Sequence, residues 1–238
     1  MTFRHGKNTK ILINQYDLSS FFSESSVSQS VETGETTTFT SSAKSYVVGL
    51  TDSTMSLKGF YDGDTGAVDE IMEAALATDN EIITVAPEGL VAGSRVTTFN
   101  SLFTSYEITS PVADVVSISM EGQTNDRMDR GISLYALTAT SATGSSTAID
   151  NATSTTNGGV GQIHVPINTR NGTSTIKIQH SADNSTWADL ITFSVVSTTT
   201  VTSERVAVTG TVNRYLRVNH TIAGSTGSTT YHANFARR

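Results

Sequence analysis

Short runs in which apolar and polar residues alternate dominate the chain. Val116, Ile118 and Met120 alternate with Ser117 and Ser119. Ile163, Val165 and Ile167 share a face with His164 opposite, and Ile176 and Ile178 oppose Lys177 and Gln179. The same period recurs at Ile191, Phe193 and Val195, at Val206 and Val208, at Leu216 and Val218, and at Tyr231, Ala233 and Phe235. Successive side chains of a strand point to opposite faces, so each run predicts a half-buried β-strand. Further strands are expected at residues 11–13, 55–57 and 81–86, and as two runs at 96–99 and 102–108. Pro87 and Gly89 stop the third of these, and Asp183-Asn184-Ser185 predicts a hairpin turn before Trp187.

One stretch has a different period. Val68, Ile71, Met72, Ala75 and Leu76 fall at i, i+3, i+4, i+7 and i+8, the spacing of one face of an α-helix, here expected over residues 66–78. Asp69, Glu70 and Glu73 then take the solvent side, and the first two complement the helix dipole. Asp64 or Thr65 is placed to cap the N-terminus. Strand, Asp-Gly turn and short amphipathic helix make one unit, most simply buried by packing the helix on one face of a sheet.

Three stretches lack such a pattern. Residues 1–10 form an extended arm, locally basic through Arg4, Lys7 and Lys10, which either frays or docks on a neighbouring subunit. Residues 25–40 hold only Val27, Val31 and Phe39 as large apolar groups; they read as a long exposed hairpin or as a segment ordered by a partner. Tyr46, Val47 and Val48 are then expected to lead back to the core. Residues 140–159, with Ile149 as the one large apolar residue, read as a flexible surface loop. The polar connection 122–131 sets the expected boundary between a first β domain, 1–125, and a second, sandwich-like β domain, 126–238. Ser94-Arg95-Val96 with Tyr106 and Glu204-Arg205-Val206 with Tyr215 echo one another weakly, although the helix has no second copy.

Composition changes this picture in two ways. Apolar residues make up 37% of the 238, and 39 Thr and 31 Ser fill the deficit, as suits strands and turns. There is no cysteine, which excludes disulfides, thiolate metal sites and cysteine catalysis. No run reaches the roughly 18 apolar residues of a membrane helix, and the basic start leads into no long apolar segment, so neither a membrane partner nor a signal peptide is expected. The net charge of −7 is uneven: −10 over residues 1–125 and +3 over 126–238. Such a chain does not usually hold nucleic acid by neutralising phosphates; the acidity reads first as plain solubility, and alternatively as the lining of a conduit through which DNA slides.

Candidate chemistry is sparse. His5, His164, His180, His220 and His232 form no metal-ligand pair. Asp62-Gly63-Asp64-Thr65-Gly66 resembles the start of a calcium loop but lacks the ligand at its fifth position and the distal Glu, so a turn with a helix cap is expected instead. Neither a Gly-x-Ser-x-Gly elbow nor a phosphate loop occurs. Asn151, Asn171, Asn184 and Asn219 open glycosylation-type triplets that a Thr-rich chain produces by chance. Trp187 is expected in the core beside Ile191 and Phe193; the alternative is a carbohydrate-binding aromatic. No catalytic, cofactor-binding or metal residue is therefore proposed, and no enzyme activity is expected.

Two stretches together resemble the major tail proteins, or tail tube proteins, of long-tailed bacteriophages. The first runs from Thr36-Thr37-Thr38-Phe39 through Tyr46-Val47-Val48-Gly49-Leu50 to Met55-Ser56-Leu57-Lys58-Gly59-Phe60-Tyr61-Asp62-Gly63-Asp64 and Glu70. The second is residues 176–190, Ile-Lys-Ile-Gln-His-Ser-Ala-Asp-Asn-Ser-Thr-Trp-Ala-Asp-Leu, with Gly210-Thr211-Val212-Asn213-Arg214-Tyr215-Leu216-Arg217 and the terminal Phe235-Ala236-Arg237-Arg238. The resemblance implies a mainly β, barrel-forming tail-tube fold with one short helix. It implies homo-oligomeric rings, hexamers or trimers with pseudo-sixfold symmetry, stacked into a virion tube that conducts DNA into the host. It also implies assembly in the host cytoplasm, contacts with other tail proteins at the tube ends, passage of DNA without specific binding, and no cofactor. A capsid or tail decoration, or a glycan-binding β protein, is the alternative.

Overall fold

The computed structural model describes residues 3–76 and 78–238. As the alternation predicts, it is mainly β with one short α-helix among the described residues; a 3-10 turn at Gly6–Asn8 interrupts the stretch expected to be an extended arm. The strands are β1 (Lys10–Ile13), β2 (Tyr16–Asp17), β3 (Phe22–Glu35), β4 (Tyr46–Phe60), β5 (Glu81–Ala86), β6 (Arg95–Thr109), β7 (Ser117–Thr124), β8 (Asp129–Thr140), β9 (Gly144–Ser145), β10 (Ile149–Asp150), β11 (Gly159–Asn168), β12 (Ser174–Ser181), β13 (Ala188–Thr192), β14 (Thr202–Val208), β15 (Tyr215–Ile222) and β16 (Thr229–Arg237). The helix α1 (Val68–Leu76) lies between β4 and β5. Ala77, within the expected 66–78, and residues 1 and 2 of the arm lie outside the described residues.

By contacts the chain groups into two compact units. A sandwich unit comprises the residues up to Ser19, Ile82–Thr98 and Asp129–Arg238; a hairpin unit comprises Ser20–Glu81 and Phe99–Met128. This grouping differs from a single cut at 125/126. β1, most of β5 and the first residues of β6 hydrogen-bond into the sheet that β8, β11 and β16 build, so two early segments belong with the later half. The chain passes between units within β6, which is one continuous strand where two runs were expected.

In the sandwich unit one antiparallel sheet runs in the order β14-β11-β16-β8-β6-β5-β1-β2. The second runs β10-β15-β12-β13, with β9 also on β15. Ile163, Val165, Tyr231, Ala233 and Phe235 from the first meet Ile176, Ile178, Ile191, Phe193, Leu216 and Val218 from the second in one buried cluster. The other side of the first sheet is buried as well. The sheet curls until Thr84 of β5 reaches His164 of β11, their Oγ1 and Nε2 2.8 Å apart. The curl encloses Gln162, His164, His232 and Asn234, so β11 and β16 are central strands covered on both faces rather than half-buried ones.

Three local expectations change for physical reasons. Ile167 is 56% exposed: the register slips between His164 and Ile167, at Pro166, which has no N–H to give to a ladder. Residues 140–159 are not a free loop. β9 and β10 pair with β15, Thr155 bridges to Val212, and the Asn151 amide donates to the Arg214 carbonyl at 3.1 Å. Trp187 lies outside the buried cluster, half-buried beneath Arg217, whose guanidinium carbon is 4.1 Å from the ring centre.

The hairpin unit contains the sheet order β3-β4-β7 and the later part of β6. β3 and β4 form a hairpin of 14 and 15 residues, the first of the two readings of residues 25–40. From Ser28 to Asp52 every residue is exposed, so Tyr46, Val47 and Val48 continue the hairpin arm instead of returning to a core. Nearer its base the alternation resumes, with Met55 and Leu57 buried.

Candidate functional site

The pleat of the hairpin unit divides its sheet into two faces of opposite character. Leu57 opposes Met120, Met55 opposes Gly122, and Phe103 opposes Gly122 from the other side; this face is buried. Tyr106, opposite Met120, lies on it too. The Tyr106 hydroxyl donates to Asp69 of α1 at 2.7 Å, which places the helix on this face. Val68, Ile71, Met72 and Ala75 are its buried residues, whereas Leu76, expected among them, is 39% exposed at the last turn.

Asp69 thus serves as a staple rather than a solvated charge. It accepts from Tyr106 and, at 3.2 Å, from Tyr61. Burial first, then the bond to Asp69, holds the Tyr106 phenol above its ordinary range; for Tyr61 the bond to Asp69 is the first cause of a rise. At the helix start the Glu70 carboxylate accepts from Gly66 N–H at 2.7 Å, and Asp62 accepts from Asp64 N–H at 3.0 Å. The acidic loop is therefore a turn leading into a helix, with the cap supplied by Glu70 from within the helix rather than by Asp64 or Thr65.

The opposite face carries a different chemistry. Paired registers align Glu24, Ser26, Ser28 and Ser30 of β3 with Lys58, Ser56, Thr54 and Asp52 of β4. Ser119, Glu121 and Gln123 of β7 continue the rows, and Ser105 and Glu107 of β6 end them. Phe60 and Leu102 are the large apolar side chains at its margins. The face is a field of hydroxyls with four carboxylates and one ammonium. Several are tied down in the plane: Ser56 Oγ donates to Glu121 at 2.9 Å, and the Gln123 amide donates to Asp52. Nothing in the alternation distinguishes this from an ordinary solvated face. The signal available in sequence was the run of Ser at every second position of β3.

The histidines are held by structure. His5 Nδ1 accepts from Lys7 N–H at 3.1 Å, and His180 Nδ1 accepts from Asn213 N–H at 3.2 Å. His220 bridges Thr140 and Tyr231. Within the curled sheet His164 Nδ1 lies 2.5 Å from the Asn14 carbonyl and His232 Nδ1 2.7 Å from that of Tyr135, their rings 6.4 Å apart. Burial lowers His164 to about 4, and burial together with the neighbouring His164 lowers His232 to about 3. Among the described residues no group of three or more His, Asp or Glu is placed to hold a metal ion. The triplet asparagines Asn151 and Asn219 spend their amides on backbone carbonyls, and Asn184 sits at φ +60° in the expected turn. No helix among the described residues is long and apolar enough to cross a membrane.

No protein-family model matches the sequence, and no curated protein matches it. Solved structures show limited likeness. A chain in the virion of a native gene transfer agent particle aligns with TM-score 0.43 and 16% identity over 54% of this chain and 98% of that one. A chain of the PVC sheath–tube complex of an extracellular contractile injection system aligns with 0.44 and 16% over 55% and 92%. The SPP1 Dit protein, from the hub adsorption apparatus of Gram-positive-infecting phages, aligns with 0.39 and 11% over 96% and 99%.

Proposed function

We propose that the chain is a non-enzymatic structural protein of a bacteriophage virion, and that copies of it close into rings which stack into the tail tube. The observation that carries this reading is the bare face of the hairpin-unit sheet. A channel for DNA must be wetted, must offer no cationic track, and must be lined by groups that bind each passing phosphate weakly. Serine and threonine hydroxyls with a net excess of carboxylate meet all three conditions, because phosphate is repelled and no counterion release rewards binding.

The same unit supplies what assembly needs. β3 pairs only with β4 among the described residues, leaving an edge open to another chain. A ring of copies covers such edges by closing the sheet into a barrel. Val31, Tyr46, Val48 and Leu50, 48% to 79% exposed on the hairpin arm, give a neighbour an apolar surface to cover. In this reading other tail proteins contact the tube ends, DNA passes without specific binding, and assembly takes place in the host cytoplasm before the virion is complete.

A second reading, a decoration or glycan-binding protein, is favoured by one observation: Trp187 is half-buried outside the core cluster rather than within it. Arg217 already covers a face of its ring, which argues against stacking on a sugar there. The basic N-terminal arm separates the readings. Deleting residues 1–9, which precede β1, should shorten or abolish tubes seen by electron microscopy while the circular dichroism of the monomer is unchanged. Tubes of undiminished length would remove the arm from the account, and selective retention on a glycan array would favour the second reading.

A further inference from the structure

The division into units sharpens the charge asymmetry. The hairpin unit holds fifteen carboxylates against three cationic side chains, net −12, and the sandwich unit seven against twelve, net +5. Most of the sandwich unit's cations are already engaged. Asp129 takes Arg205 and Arg238, Asp150 takes Arg214, Asp189 takes Lys177, and Arg170 and Arg237 donate to backbone carbonyls.

Arg95 and Arg130 are different. Thr97 of β6 opposes Arg130 of β8, and Arg95 opposes Ile132, so the two arginines are diagonal neighbours on one face, on the order of 7 Å apart at their backbones. Both are exposed, and neither side chain has a hydrogen bond or ion pair among the described residues. With Pro87, Val96 and Thr97 they line a concavity of about 340 Å³. Two like charges held side by side over a concave floor repel each other until an anion sits between them.

We propose that this arginine pair is a docking site for carboxylates of the hairpin unit of a second copy of this chain, making the contact heterologous, charge-complementary and head-to-tail. The inference rests on the tube reading and gives that assembly a direction. Duplex DNA is the poorer occupant. Two guanidiniums neutralise too few phosphates to outweigh a chain charge of −7, whereas the −12 unit of a neighbour offers many carboxylates at high effective concentration. A heterologous contact that does not self-complement propagates, forming rings or filaments rather than stopping at a dimer. Contacts of this kind are screened over about 8 Å at physiological salt, so assembly should weaken as salt rises.

The test is sedimentation velocity of the full chain across a concentration and salt series. Wild type is compared with Arg95→Glu/Arg130→Glu, with the milder Arg95→Gln/Arg130→Gln, and with Lys177→Glu as a control reversal in the same unit. The glutamate pair should raise the concentration needed for association by roughly tenfold or more and lose most of the salt dependence. The glutamine pair should fall between, and the control should stay near wild type. A mixed ¹⁴N/¹⁵N sample of Arg95→Lys, cross-linked with carbodiimide, should give links from position 95 to carboxylates of residues 20–81 or 99–128 of the other isotopic copy. Undiminished association of both pair variants overturns the docking site and leaves the tube reading standing. DNA retardation that the pair variants abolish overturns it in favour of phosphate. Wild type that never associates at any concentration overturns both.

Discussion

At the scale of single residues, two kinds of site are held most tightly. The first is the turn pair Gly172 and Gly224. Gly224 has φ +98°, and a Cβ there would lie 1.7 Å from the Asn171 carbonyl oxygen; Gly172, at φ +136°, would meet that of Ala223 at 2.2 Å. Backbone blocks the methyl, so nothing flexible can yield. Gly224→Ala should cost roughly 3 kcal/mol or more. Gly210→Ala, at φ +85° with open space around it, should cost about 1 kcal/mol. Equal losses in denaturant titrations would contradict the close approach. The second is the histidine pair inside the curled sheet. Both are held neutral, with folded values of about 4 and 3 against about 6.5 unfolded. Between these values the unfolded chain binds protons that the folded one does not, so stability present above pH 6.5 is lost as pH falls toward 4 and below, by on the order of a few kcal/mol. A denaturation midpoint flat from pH 7.5 to 4 would contradict the burial. Neither site was legible in sequence. The glycines lie in turns separated by some fifty positions, and the alternation of His232 and Asn234 with Tyr231 and Phe235 predicts exposure unless one knows that the sheet curls back on itself.

At the scale of elements, the 3.6-residue period located α1 to within two residues at each end, and the two-residue period located most of the strands. The fate of the polar partners was not readable. Asp69 sits on the solvent side by helical spacing, yet two tyrosines from separate segments reach it, because the β6 bulge between Phe103 and Ser105 turns Tyr106 toward the helix. Asp69→Ala should destabilise the hairpin unit by about 1 kcal/mol, given the partial exposure of the staple. It should also bring one tyrosine back toward the ordinary phenol range in an alkaline absorbance titration. An unchanged titration would mean that the staple does not exist in solution. Trp187 shows the converse limit. Its apolar ring and its even spacing from Ile191 and Phe193 read as core, but it precedes β13, whose register on β12 shifts between Ile191 and Asp189, and a cation rather than a hydrocarbon covers it.

At the scale of the whole molecule, the sequence shows an acidic first half and a basic second half, but the segments exchange partners. Residues up to Ser19 and Ile82–Thr98 carry bases into the sandwich unit, and the contrast widens from −10 and +3 to −12 and +5. The hydroxyl face, the open β3 edge and the exposed hairpin arm lie in the more acidic unit; they are the features that a ring with a wetted, phosphate-repelling channel requires. The most direct measurement is cryo-electron microscopy of the purified chain over a concentration series, with enough detail to place β3, β4 and β7. Stacked rings with a central channel lined by Glu24, Ser26, Ser56, Lys58 and Glu121 are the expected result. A particle that stays monomeric at every concentration, or a tube whose lumen is lined by any other surface, would contradict it.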